Sequence, residues 1–529
     1  MKDSAETLLF SLDDEQRKVV TAVHGPVLVI AGAGTGKTRA ITQRIAYGVE
    51  IGAFDPRKVL ALTFTSKAAG EMRQRLRTLG IGQVQARTFH AAALRQLIYF
   101  WPEVLGGRFP QLLASKSSLL TESINRISST VRTSPQNLRE ISGEVEWSKS
   151  LSLAPDQYVE ESKRANRATT IAAGEIARIY EGYESIKRDE RVIDFEDVLL
   201  LTIGMLEEES AVANRIREQY RHFTVDEYQD VSPLQQRLLD LWLGNRKEIC
   251  VVGDPAQTIY SFAGATPAFL LGFTKRFPEA EVIRLHRGYR STQEIINYAN
   301  RLIRDEAAEL VAGEVRHGES VSISGFATKT EEVDAIVDSV QEEINKLTDP
   351  REIAVLARTN NQLENLERAF SKAGIEYQVR GSERFFETRE VADALRLIRS
   401  ASVLSDEGDW RNELVQILAP LGKNPKIRAI IDLAREDSTI ASMREFLREL
   451  EDRKEQNNPP LLPGVTLATF HAAKGLEWQV VFLFGISKEN VPWPTSPIDE
   501  EKRLLYVGVT RAKERLALTY SGVASPFIQ

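Results

Sequence analysis

The chain has 529 residues and a formal net charge of −7 at pH 7; 42% of its residues are hydrophobic and 27% are charged. At ~150 residues per domain this length allows three or four domains, and the composition is that of a folded chain rather than a disordered one. No apolar run reaches the ~18 residues of a membrane span, and the N-terminus carries acids where a secretion signal has basic and apolar regions. We therefore predict a cytoplasmic protein without membrane association.

The cysteine content excludes two further kinds of site. Cys250 is the single cysteine, so an internal disulfide cannot form, and no Cys/His cluster has the spacing of a zinc or iron–sulfur site. Because it stands in the apolar run Ile249–Val252, Cys250 is predicted to be a small buried core residue.

The charge pattern leaves nucleic-acid binding open. An acidic net charge argues mildly against a general nucleic-acid-binding protein, which is usually basic. Between Arg57 and Arg95, however, eight basic residues stand against one acid, Glu71. On charge alone, this stretch fits a solvated helix face and a nucleic-acid contact surface equally well.

Two stretches of the chain alternate short apolar strands with helical segments, which is the pattern of parallel α/β domains. The first stretch contains the strand candidates PVLVI (from Pro26), KVLALTFT, VQARTFH, HFTVDEYQD and EICVVGD. The second runs from EVIRLHRGYR through EIAVLART, IEYQVR and VTLATFH to VVFLFGI and RLALTYS. Residues 98–190 and 399–463 have helical periodicity and few strand signals, so we predict helical insertions there.

A phosphate-binding loop is predicted where the first strand meets its helix. The sequence AGAGTGKT places the following residues in the strand–loop–helix order of a P-loop: Ala31, Gly32, Ala33, Gly34, Thr35, Gly36, Lys37 and Thr38. Lys37 would neutralise the β- and γ-phosphates of ATP, and the Thr38 hydroxyl would ligate Mg²⁺. Ala31 replaces the usual glycine, and the alternative is a purely structural glycine-rich turn.

P-loop enzymes need a carboxylate at the end of a neighbouring strand, and the segment Phe223–Glu227 offers two. Asp226 would hold Mg²⁺ through water, and Glu227 would polarise the attacking water as general base. Two adjacent acids are often no more than the polar end of a strand. Together with a P-loop they indicate ATP hydrolysis rather than a kinase or a simple switch.

With these motifs in place, the chain resembles the superfamily 1A helicases of the UvrD/Rep/PcrA family over almost its whole length. The matching blocks, in chain order, are LDDEQRKVV, AGAGTGKT, ALTFTSKAAGEMRQR, ARTFHAAALRQL, VDEYQDVSPLQQ, VVGDPAQTIYSFAGA, RLHRGYRST, IAVLARTNNQ, RFFETREVAD, VTLATFHAAKGLEW and EEKRLLYVGVTRAKERL. All of them occur in the family's order, which makes coincidence negligible.

The resemblance implies an α/β fold with two RecA-like P-loop NTPase lobes, in which parallel sheets are flanked by helices and carry helical insertions. The implied ranges are 1–97 and 191–280 for lobe 1A, 98–190 for insertion 1B, 281–398 and 464–529 for lobe 2A, and 399–463 for a reduced insertion 2B.

The resemblance also implies nucleotide-binding residues outside the P-loop. Gln16 would contact adenine with Arg39 nearby, Tyr289 would stack on the base, and Glu477 would contact ribose or phosphate. Gln257 would sense the γ-phosphate, and Arg290 and Arg511 would be arginine fingers from the second lobe. Since such fingers arrive only when the cleft shuts, ATP binding would favour a closed form and hydrolysis would release it.

For DNA, the resemblance implies a single strand that crosses both lobes. The expected contact residues are Phe64 and Phe262 as base-stacking aromatics, Tyr260, His90, Arg358, Asn360 and His471 as further contacts, and Thr63, Thr65 and Thr88 as phosphate contacts at strand ends. Taken singly, Phe64 also fits a core position, and His90 also fits a structural hydrogen bond.

Three features depart from the family pattern. Ala263 stands where arginine is usual, which puts the coupling at that position in doubt, and Gly288 replaces the usual asparagine. The segment 399–463 is much shorter than the family's 2B domain, so rotation of 2B, autoinhibition and duplex contact by 2B cannot be carried over.

The predicted function is that of an ATP-dependent 3′→5′ single-stranded DNA translocase and DNA helicase in bacterial DNA repair or replication restart. Its expected partners are single-stranded DNA and single-strand/duplex junctions, with a repair protein or a second copy as further partners. The alternative is a translocase that strips proteins from DNA and needs a partner or dimer to unwind duplex. A non-catalytic scaffold is disfavoured by four residues: Lys37, Glu227, Arg290 and Arg511. The motor of a helicase–nuclease is disfavoured because no nuclease-like block is seen.

Overall fold

The computed structural model describes residues 2–113, 115–128, 130–304, 309–380, 385–404, 409–422, 424–436, 440–455, 460, 462 and 464–529. The chain divides into two compact units. The first consists of Met1–Ile30, Ile41–Thr65 and Gln83–Ile283, and the second of Ala31–Ala40, Ser66–Gly82 and Arg284–Gln529. The predicted α/β fold class is confirmed, because the described residues form two six-stranded sheets with helices around them.

The first sheet is built from strands in the first half of the chain. Its strands, together with the short pair β4–β5, are β1 (Val27–Ala31), β2 (Val59–Thr63), β3 (Gln85–Thr88), β4 (Gln111–Leu112), β5 (Val192–Ile193), β6 (His222–Val225), β7 (Ile249–Gly253) and β8 (Glu281–Leu285). The strand order is β3-β2-β6-β7-β1-β8, and the pairings that link β3, β2, β6, β7 and β1 are parallel. Each strand predicted in the first stretch is present. EVIRL, which the pattern grouped with the second stretch, forms the edge strand β8 of the first sheet instead.

The central strands of this sheet are covered on both faces. Every residue of β2 and β7 is buried, which explains why both read as continuous apolar runs rather than as alternating patterns. Cys250 lies in β7 and is fully buried, which confirms the prediction of a core position.

The helices up to residue 276 include those of the predicted insertion at 98–190. They are α1 (Lys2–Phe10), α2 (Asp14–Thr21), α3 (Lys37–Glu50), α4 (Ser66–Thr78), α5 (Phe89–Val104), α6 (Ser117–Ile127), α7 (Pro135–Ser150), α8 (Tyr158–Arg164), α9 (Ala173–Glu190), α10 (Phe195–Glu208), α11 (Ser210–Gln219), α12 (Pro233–Leu243), α13 (Ala268–Leu271) and α14 (Phe273–Arg276). Capping residues mark several of these starts: Asp194 begins α10 and Ser232 begins α12, each with a reciprocal capping box. No described helix is both long enough and apolar enough to cross a membrane.

A buried ionic network ties α7 and α9 to the start of α10. The Lys149 ammonium lies 2.7 Å from carboxylate oxygens of both Asp194 and Asp197, and Lys187 lies 3.1 Å from Asp194. Glu184 adds a third carboxylate, 2.8 Å from Lys149. Burial by itself would raise the pKa of Asp194, but Lys149 and Lys187 outweigh it and hold that pKa well below its usual range. These side chains therefore bind one another as fixed ions.

The second sheet lies in the second unit. The strands of this unit are β9 (Arg287–Gly288), β10 (Val311–Ala312), β11 (Ser322–Phe326), β12 (Ile353–Ala357), β13 (Tyr377–Val379), β14 (Val465–Thr469), β15 (Trp478–Phe484) and β16 (Ala512–Ser521). The six-stranded order is β11-β16-β15-β12-β14-β13 with parallel pairing throughout, and β9 pairs with β10 separately. The largely exposed edge strand β11 was not predicted, because SISGF has no apolar run and its alternation is short and interrupted by Gly325.

The helices after residue 284 include a group with a core of its own. The helices are α15 (Gln293–Leu302), α16 (Lys329–Asn345), α17 (Asn360–Ala373), α18 (Arg389–Leu404), α19 (Trp410–Leu418), α20 (Pro425–Glu436), α21 (Met443–Glu455) and α22 (Ile498–Val509). Residues of α18 to α21 share an apolar cluster that includes Trp410, Leu414, Ile430 and Phe446. The segment read as a reduced insertion contains the end of α18 and the whole of α19, α20 and α21, and most of its other described residues form short connections.

Candidate active site

The P-loop residues form the turn between β1 and α3. Gly34 and Gly36 have φ values of 72° and 79°, in the left-handed region that favours glycine. The Thr35 hydroxyl donates a hydrogen bond to the Gly32 carbonyl at 2.9 Å and so closes the turn. Because α3 begins at Lys37, the first-turn N–H groups and the positive end of the helix dipole belong to the loop that would bind phosphate.

Within the second unit, the P-loop packs closely against the segment that follows β9. The Tyr289 N–H donates to the Gly34 carbonyl at 2.9 Å. A Cβ atom placed on Gly34 would lie 2.8 Å from the Cβ of Arg290, and one placed on Gly32 would lie 2.3 Å from Leu310 Cδ2. Gly34 is therefore needed for close approach to Arg290 as well as for its backbone conformation, and the loop lies beside two of the predicted nucleotide-binding residues.

Tyr289 is partly exposed and has one side of its ring covered. Its exposure is 40%, and a Cβ on Gly313 would lie 2.3 Å from the ring. Gly313 follows β10, and its N–H donates to the Gly288 carbonyl beside Tyr289 at 2.8 Å. A ring held in this way suits stacking on a planar base.

Arg290 and Glu477 form an ion pair in the second unit. Arg290 Nε donates to Glu477 Oε2 at 2.7 Å, and its Nη1 donates to the Thr510 carbonyl at 3.0 Å. Lys513 lies on the other oxygen of the same carboxylate, with its Nζ 3.3 Å from Glu477 Oε1. Burial would raise the pKa of Glu477, but Arg290 and Lys513 outweigh it and lower that pKa. Lys513 was not singled out from the sequence.

Arg511 is held inside the second unit. Its side chain is 2% exposed, with Nε donating to the Val507 carbonyl at 2.8 Å and Nη1 to the Leu476 carbonyl at 3.1 Å. Its Nη2 donates to the Thr510 hydroxyl at 3.0 Å. In this conformation the guanidinium connects α22 to the segment before β15 through hydrogen bonds.

The paired acids of the first unit follow β6. Asp226 is nearly buried, and its N–H donates to the Leu62 carbonyl at 2.8 Å. The Glu227 N–H donates to Asp226 Oδ1 at 2.9 Å, and Glu227 has a φ of 52°. A left-handed glutamate is uncommon, and such conformations concentrate at functional positions.

A chain of hydrogen bonds leads from Glu227 to Gln257. Gln229 Nε2 donates to Glu227 Oε2 at 2.5 Å, and Gln229 Oε1 accepts from the Asp254 N–H at 3.0 Å. Asp254 Oδ2 then accepts from Gln257 Nε2 at 2.6 Å. The predicted general base and the predicted γ-phosphate sensor are thus linked through two buried side chains.

Gln229 and Asp254 were missed by sequence reasoning. Both stand inside blocks that carry the family resemblance, VDEYQDVSPLQQ and VVGDPAQTIYSFAGA. Gln229 is fully buried and Asp254 nearly so. The available signal was their position, two or three residues from a catalytic candidate. The sequence does not indicate which of the polar neighbours are buried.

Gln16 and Arg39, the two residues expected near adenine, belong to different units. Gln16 is nearly buried on α2, and its N–H donates to Asp13 Oδ1 at 2.7 Å at the start of that helix. Arg39 is exposed in the first turn of α3.

Phe64 and Phe262, which are predicted to stack on DNA bases, form one group with Tyr260 in the first unit. Phe64 and Tyr260 stack with ring centroids 5.0 Å apart, and Tyr260 meets Phe262 edge-on at 6.1 Å. Phe262 is 53% exposed. Phe64 is partly buried.

The segment after Phe262 packs on the helical insertion of the same unit. The Phe262 carbonyl accepts from Arg167 Nη1 at 3.0 Å, and a Cβ on Gly264 would lie 1.9 Å from the Ser150 hydroxyl. Arg167 also lies over the Trp147 ring at 4.6 Å. Arg167 therefore supports the aromatic group from the insertion, next to the position where Ala263 replaces the family's arginine.

The predicted phosphate-contacting threonines lie at strand ends. Thr63 is buried and donates to the Thr65 carbonyl at 3.0 Å, whereas Thr65 is exposed. Thr88 is the N-cap of α5, and its hydroxyl accepts from the Ala91 N–H at 3.2 Å.

His90 lies in the first turn of α5, with its ring 6.0 Å from that of Phe195. Burial, assisted by the positive charge of Lys116, lowers the pKa of His90 to about 4. The imidazole is therefore neutral at neutral pH, and a contact with DNA would use hydrogen bonding or packing rather than charge.

Three predicted DNA contacts lie in the second unit. Arg358 is paired with Glu501, its Nη2 lying 2.7 Å from Oε1, and its guanidinium lies over the Trp493 ring at 5.6 Å. Asn360 is exposed at the first position of α17, and His471 is partly buried just after β14. Trp493, which was not singled out from the sequence, is partly exposed beside Arg358.

Comparison with known proteins gives matches along nearly the whole chain. The family described as UvrD/REP helicase N-terminal domain matches residues 12–278. The UvrD-like helicase C-terminal domain matches residues 283–411 and 412–522.

Curated relatives extend these matches. The chain is 42% identical over 567 aligned residues to the Mycobacterium tuberculosis protein named ATP-dependent DNA helicase UvrD2, covering 99% of this chain and 81% of that protein. It is 28% identical over 627 aligned residues to the ATP-dependent DNA helicase PcrA of Leuconostoc citreum, covering 98% of this chain and 82% of the relative. The PcrA of Staphylococcus aureus is 26% identical, with 97% and 84% covered.

Proposed function

This chain belongs to the UvrD/REP helicase family and is an ATP-dependent DNA helicase, and we propose that it moves along single-stranded DNA in the 3′→5′ direction during DNA repair or replication restart. The direction and the pathway come from the resemblance of its motifs. The residue roles below are part of the same proposal.

The observation that carries the proposal is the continuity between the acidic motif and the aromatic group in the first unit. Hydrogen bonds run from Glu227 through Gln229 and Asp254 to Gln257. Three residues after Gln257, the chain reaches Tyr260, which stacks on Phe64. A change in the hydrogen bonds of Gln257 on nucleotide binding would therefore act on a backbone segment that also carries base-stacking aromatics.

ATP would be held by the P-loop through its backbone N–H groups and Lys37. Mg²⁺ suits the oxygen donors of Thr38 and Asp226, a hydroxyl and a carboxylate, and when bound it would neutralise phosphate charge. Hydrolysis joins a water oxygen to the γ-phosphorus and breaks the bond to the bridging oxygen of ADP. Glu227 accepts the water proton, and Arg290 stabilises the negative charge on the transferred group.

DNA would be bound by stacking and by phosphate contacts that do not read sequence. Phe262 and Phe64 offer aromatic faces, worth roughly 1–3 kcal/mol per base. Thr65 and Asn360 are exposed and lie at helix starts or strand ends, where hydroxyl, amide and backbone N–H groups can bind phosphate oxygens. Binding of this kind suits a motor that must pass over every sequence.

Steady-state ATP hydrolysis with and without an oligo-dT strand tests the proposal. We expect at least tenfold stimulation by the strand and its loss in Glu227→Gln, which removes the base but keeps the shape of the side chain. Glu208→Gln, on an exposed glutamate at the end of α10, is the matched control and should behave like wild type. DNA binding without stimulation would contradict the proposed coupling.

The direction of movement has a test of its own. Streptavidin placed on the 5′ end of a single strand should be displaced in the presence of ATP, and streptavidin on the 3′ end should stay bound. The reverse result would assign the opposite polarity and leave the ATPase proposal intact.

A second candidate is a translocase that unwinds duplex only with a partner or a second copy. It is motivated by the small helical group of α18 to α21, which is short for the family's 2B domain. Single-turnover unwinding of a 3′-tailed duplex, measured at limiting enzyme and at excess enzyme, separates the two. Efficient unwinding by monomers would eliminate this candidate.

A further inference from the structure

One carboxylate in the second unit is shared by two cations. Glu477 Oε2 lies 2.7 Å from Arg290 Nε, and Glu477 Oε1 lies 3.3 Å from Lys513 Nζ. The three side chains come from separate segments: the residues after β9, the residues before β15, and β16. Glu352 lies at the edge of the cluster, 3.8 Å from Lys513.

Arg290 also lies beside the P-loop. Its Cβ lies 2.8 Å from the position that a Cβ on Gly34 would occupy, and the N–H of its neighbour Tyr289 donates to the Gly34 carbonyl. The backbone of Arg290 is therefore anchored beside the loop, while its guanidinium is directed to Glu477. A phosphate on that loop would compete with Glu477 for the guanidinium.

Lys513 changes the balance of that exchange. With Arg290 on Glu477, two positive charges flank one carboxylate and repel each other. With Arg290 on phosphate, Glu477 keeps a cation of its own and is not left as a bare anion near the negatively charged nucleotide. Lys513 thus weakens the Arg290–Glu477 ion pair, and it stabilises the Glu477 carboxylate once Arg290 has left it.

We propose that Lys513 is a positioning residue for ATP hydrolysis, which acts through Glu477 to release the Arg290 guanidinium to the γ-phosphate. The proposal rests on the proposed function, because it takes Arg290 as the group that meets the transferred phosphate. Lys513 itself does not touch the nucleotide in this scheme. It is part of the exchange that makes Arg290 available.

The first test is nucleotide binding, which does not require hydrolysis. In Lys513→Met we expect a non-hydrolysable ATP analogue to bind about fivefold more weakly, with ADP affinity changed less than twofold because ADP has no γ-phosphate. Lys513→Arg should restore the wild-type ratio of the two affinities. Lys488→Met, on an exposed lysine of the same unit, is the matched control and should leave both affinities unchanged.

The second test is a double-mutant cycle with Glu477→Gln. If Lys513 acts through Glu477, Lys513→Met should have less than a twofold effect on analogue binding once Glu477 is neutral. A fivefold effect that persists in the Glu477→Gln background would mean that Lys513 contacts phosphate directly, and this would overturn the proposal. An equal loss of ADP and analogue affinity would also overturn it, because it would indicate a structural role.

These outcomes are separate from failure of the proposed function. A wild-type protein that binds the analogue but shows no DNA-stimulated hydrolysis would contradict the proposed coupling, while the cycle still decides the role of Lys513. Where hydrolysis is present, Lys513→Met should lower kcat about fivefold, and the effect should again vanish with Glu477→Gln.

Discussion

Two charged clusters, the ionic network of the first unit and the group around Glu477 in the second, hold their side chains in different ways. In the first unit, Lys149 and Asp194 are almost completely buried within an ionic network, and Gln229 is fully buried between Glu227 and Asp254. In the second unit, Glu477 is 43% exposed on its side chain and is shared by Arg290 and Lys513.

This difference matters for an ATP-dependent helicase, in which some side chains keep their partners while others exchange them. Buried polar groups are costly to separate, because each one left unpaired keeps its desolvation penalty. Partly exposed ion pairs exchange partners easily, because water and salt replace what is lost. We therefore expect substitutions in the first unit to cost stability or turnover strongly, and substitutions around Glu477 to act as modest shifts in nucleotide affinity.

The largest effect is expected for Asp194→Asn in the ionic network. Asparagine keeps an acceptor for the Asp197 N–H at the start of α10 but removes the charge that binds Lys149 and Lys187. Breaking one partner out of a buried network costs about 3–5 kcal/mol. The free energy of unfolding from urea titration measures it. Glu160→Gln is the control.

Glu160 pairs with Arg164 on an exposed helix face, with both side chains more than half exposed. Its loss should cost less than about 1 kcal/mol. If Asp194→Asn cost no more than this control, the first unit would not depend on its buried charges, and the contrast between the units would fail.

A second effect follows from His90, which lies near this network. Its pKa falls from 6.5 to about 4 on folding, because burial and the Lys116 charge disfavour the protonated ring. Between pH 6.5 and 4 the unfolded chain therefore binds a proton that the folded chain does not, so stability falls as the pH is lowered through this window. The loss reaches about 3 kcal/mol and levels off below pH 4.

Unfolding of His90→Gln over the same pH range measures this effect. The variant should lose less stability than wild type between pH 6.5 and 4, and the curves should run parallel above pH 7. His24→Gln, on an exposed histidine, should follow the wild-type curve. Identical slopes for wild type and His90→Gln would show that the His90 ring is solvated.

The sequence was sufficient for the α/β architecture and for placing the glycine-rich loop and the two acids at the ends of buried strands. AGAGTGKT lies between a strand and a helix because those glycines leave the backbone free to turn, and VDE follows a buried strand because the apolar run stops there. It was not sufficient for β8, which was grouped with the second stretch but lies at the edge of the first sheet. A strand's own pattern records that it is buried, not which neighbours it pairs with.

Contacts between distant segments were the other part that the sequence could not supply. Lys513 and Glu477 are 36 residues apart, and nothing in TRAKERL indicates which acid its lysine will meet. The buried network of Lys149 was missed for a similar reason. Charged residues on helical patterns are usually solvated, and only packing of the helices reveals which of them turn inward.

Gln229→Ala tests the first unit's hydrogen-bond chain. Removing the amide leaves the Asp254 N–H and one Glu227 oxygen without the bonds they make in wild type, a loss of about 2 kcal/mol, or roughly 30-fold, in turnover. We expect kcat to fall by that factor while the KM for ATP changes less than threefold, because the P-loop is unaltered.

Gln96→Ala is the matched control for that change. Gln96 is also a buried glutamine. Its Oε1 accepts a hydrogen bond from Trp242 Nε1 at 2.8 Å, and neither residue belongs to the acidic motif. The Gln96→Ala variant should have a lower free energy of unfolding than wild type, but its kcat should fall much less than that of Gln229→Ala. Similar kcat values for the two variants would mean that Gln229 serves packing and not the alignment of Glu227.

The smallest effect concerns the P-loop beside Arg290. Gly34 and Gly25 both have a φ of 72°, so alanine strains either backbone by about 1–2 kcal/mol. Their surroundings differ, because a Cβ on Gly34 meets Arg290 at 2.8 Å and a Cβ on Gly25 meets no atom within 4 Å. We expect Gly34→Ala to raise the KM for ATP about tenfold, or ~1.4 kcal/mol, and Gly25→Ala to leave it unchanged at a similar loss of stability. Because strain is common to both, any difference in KM reports how closely the loop must approach Arg290. Equal KM values would show that the backbone of Arg290 can move away from the P-loop. The ease of exchange expected for the Arg290 side chain would then hold for its backbone as well.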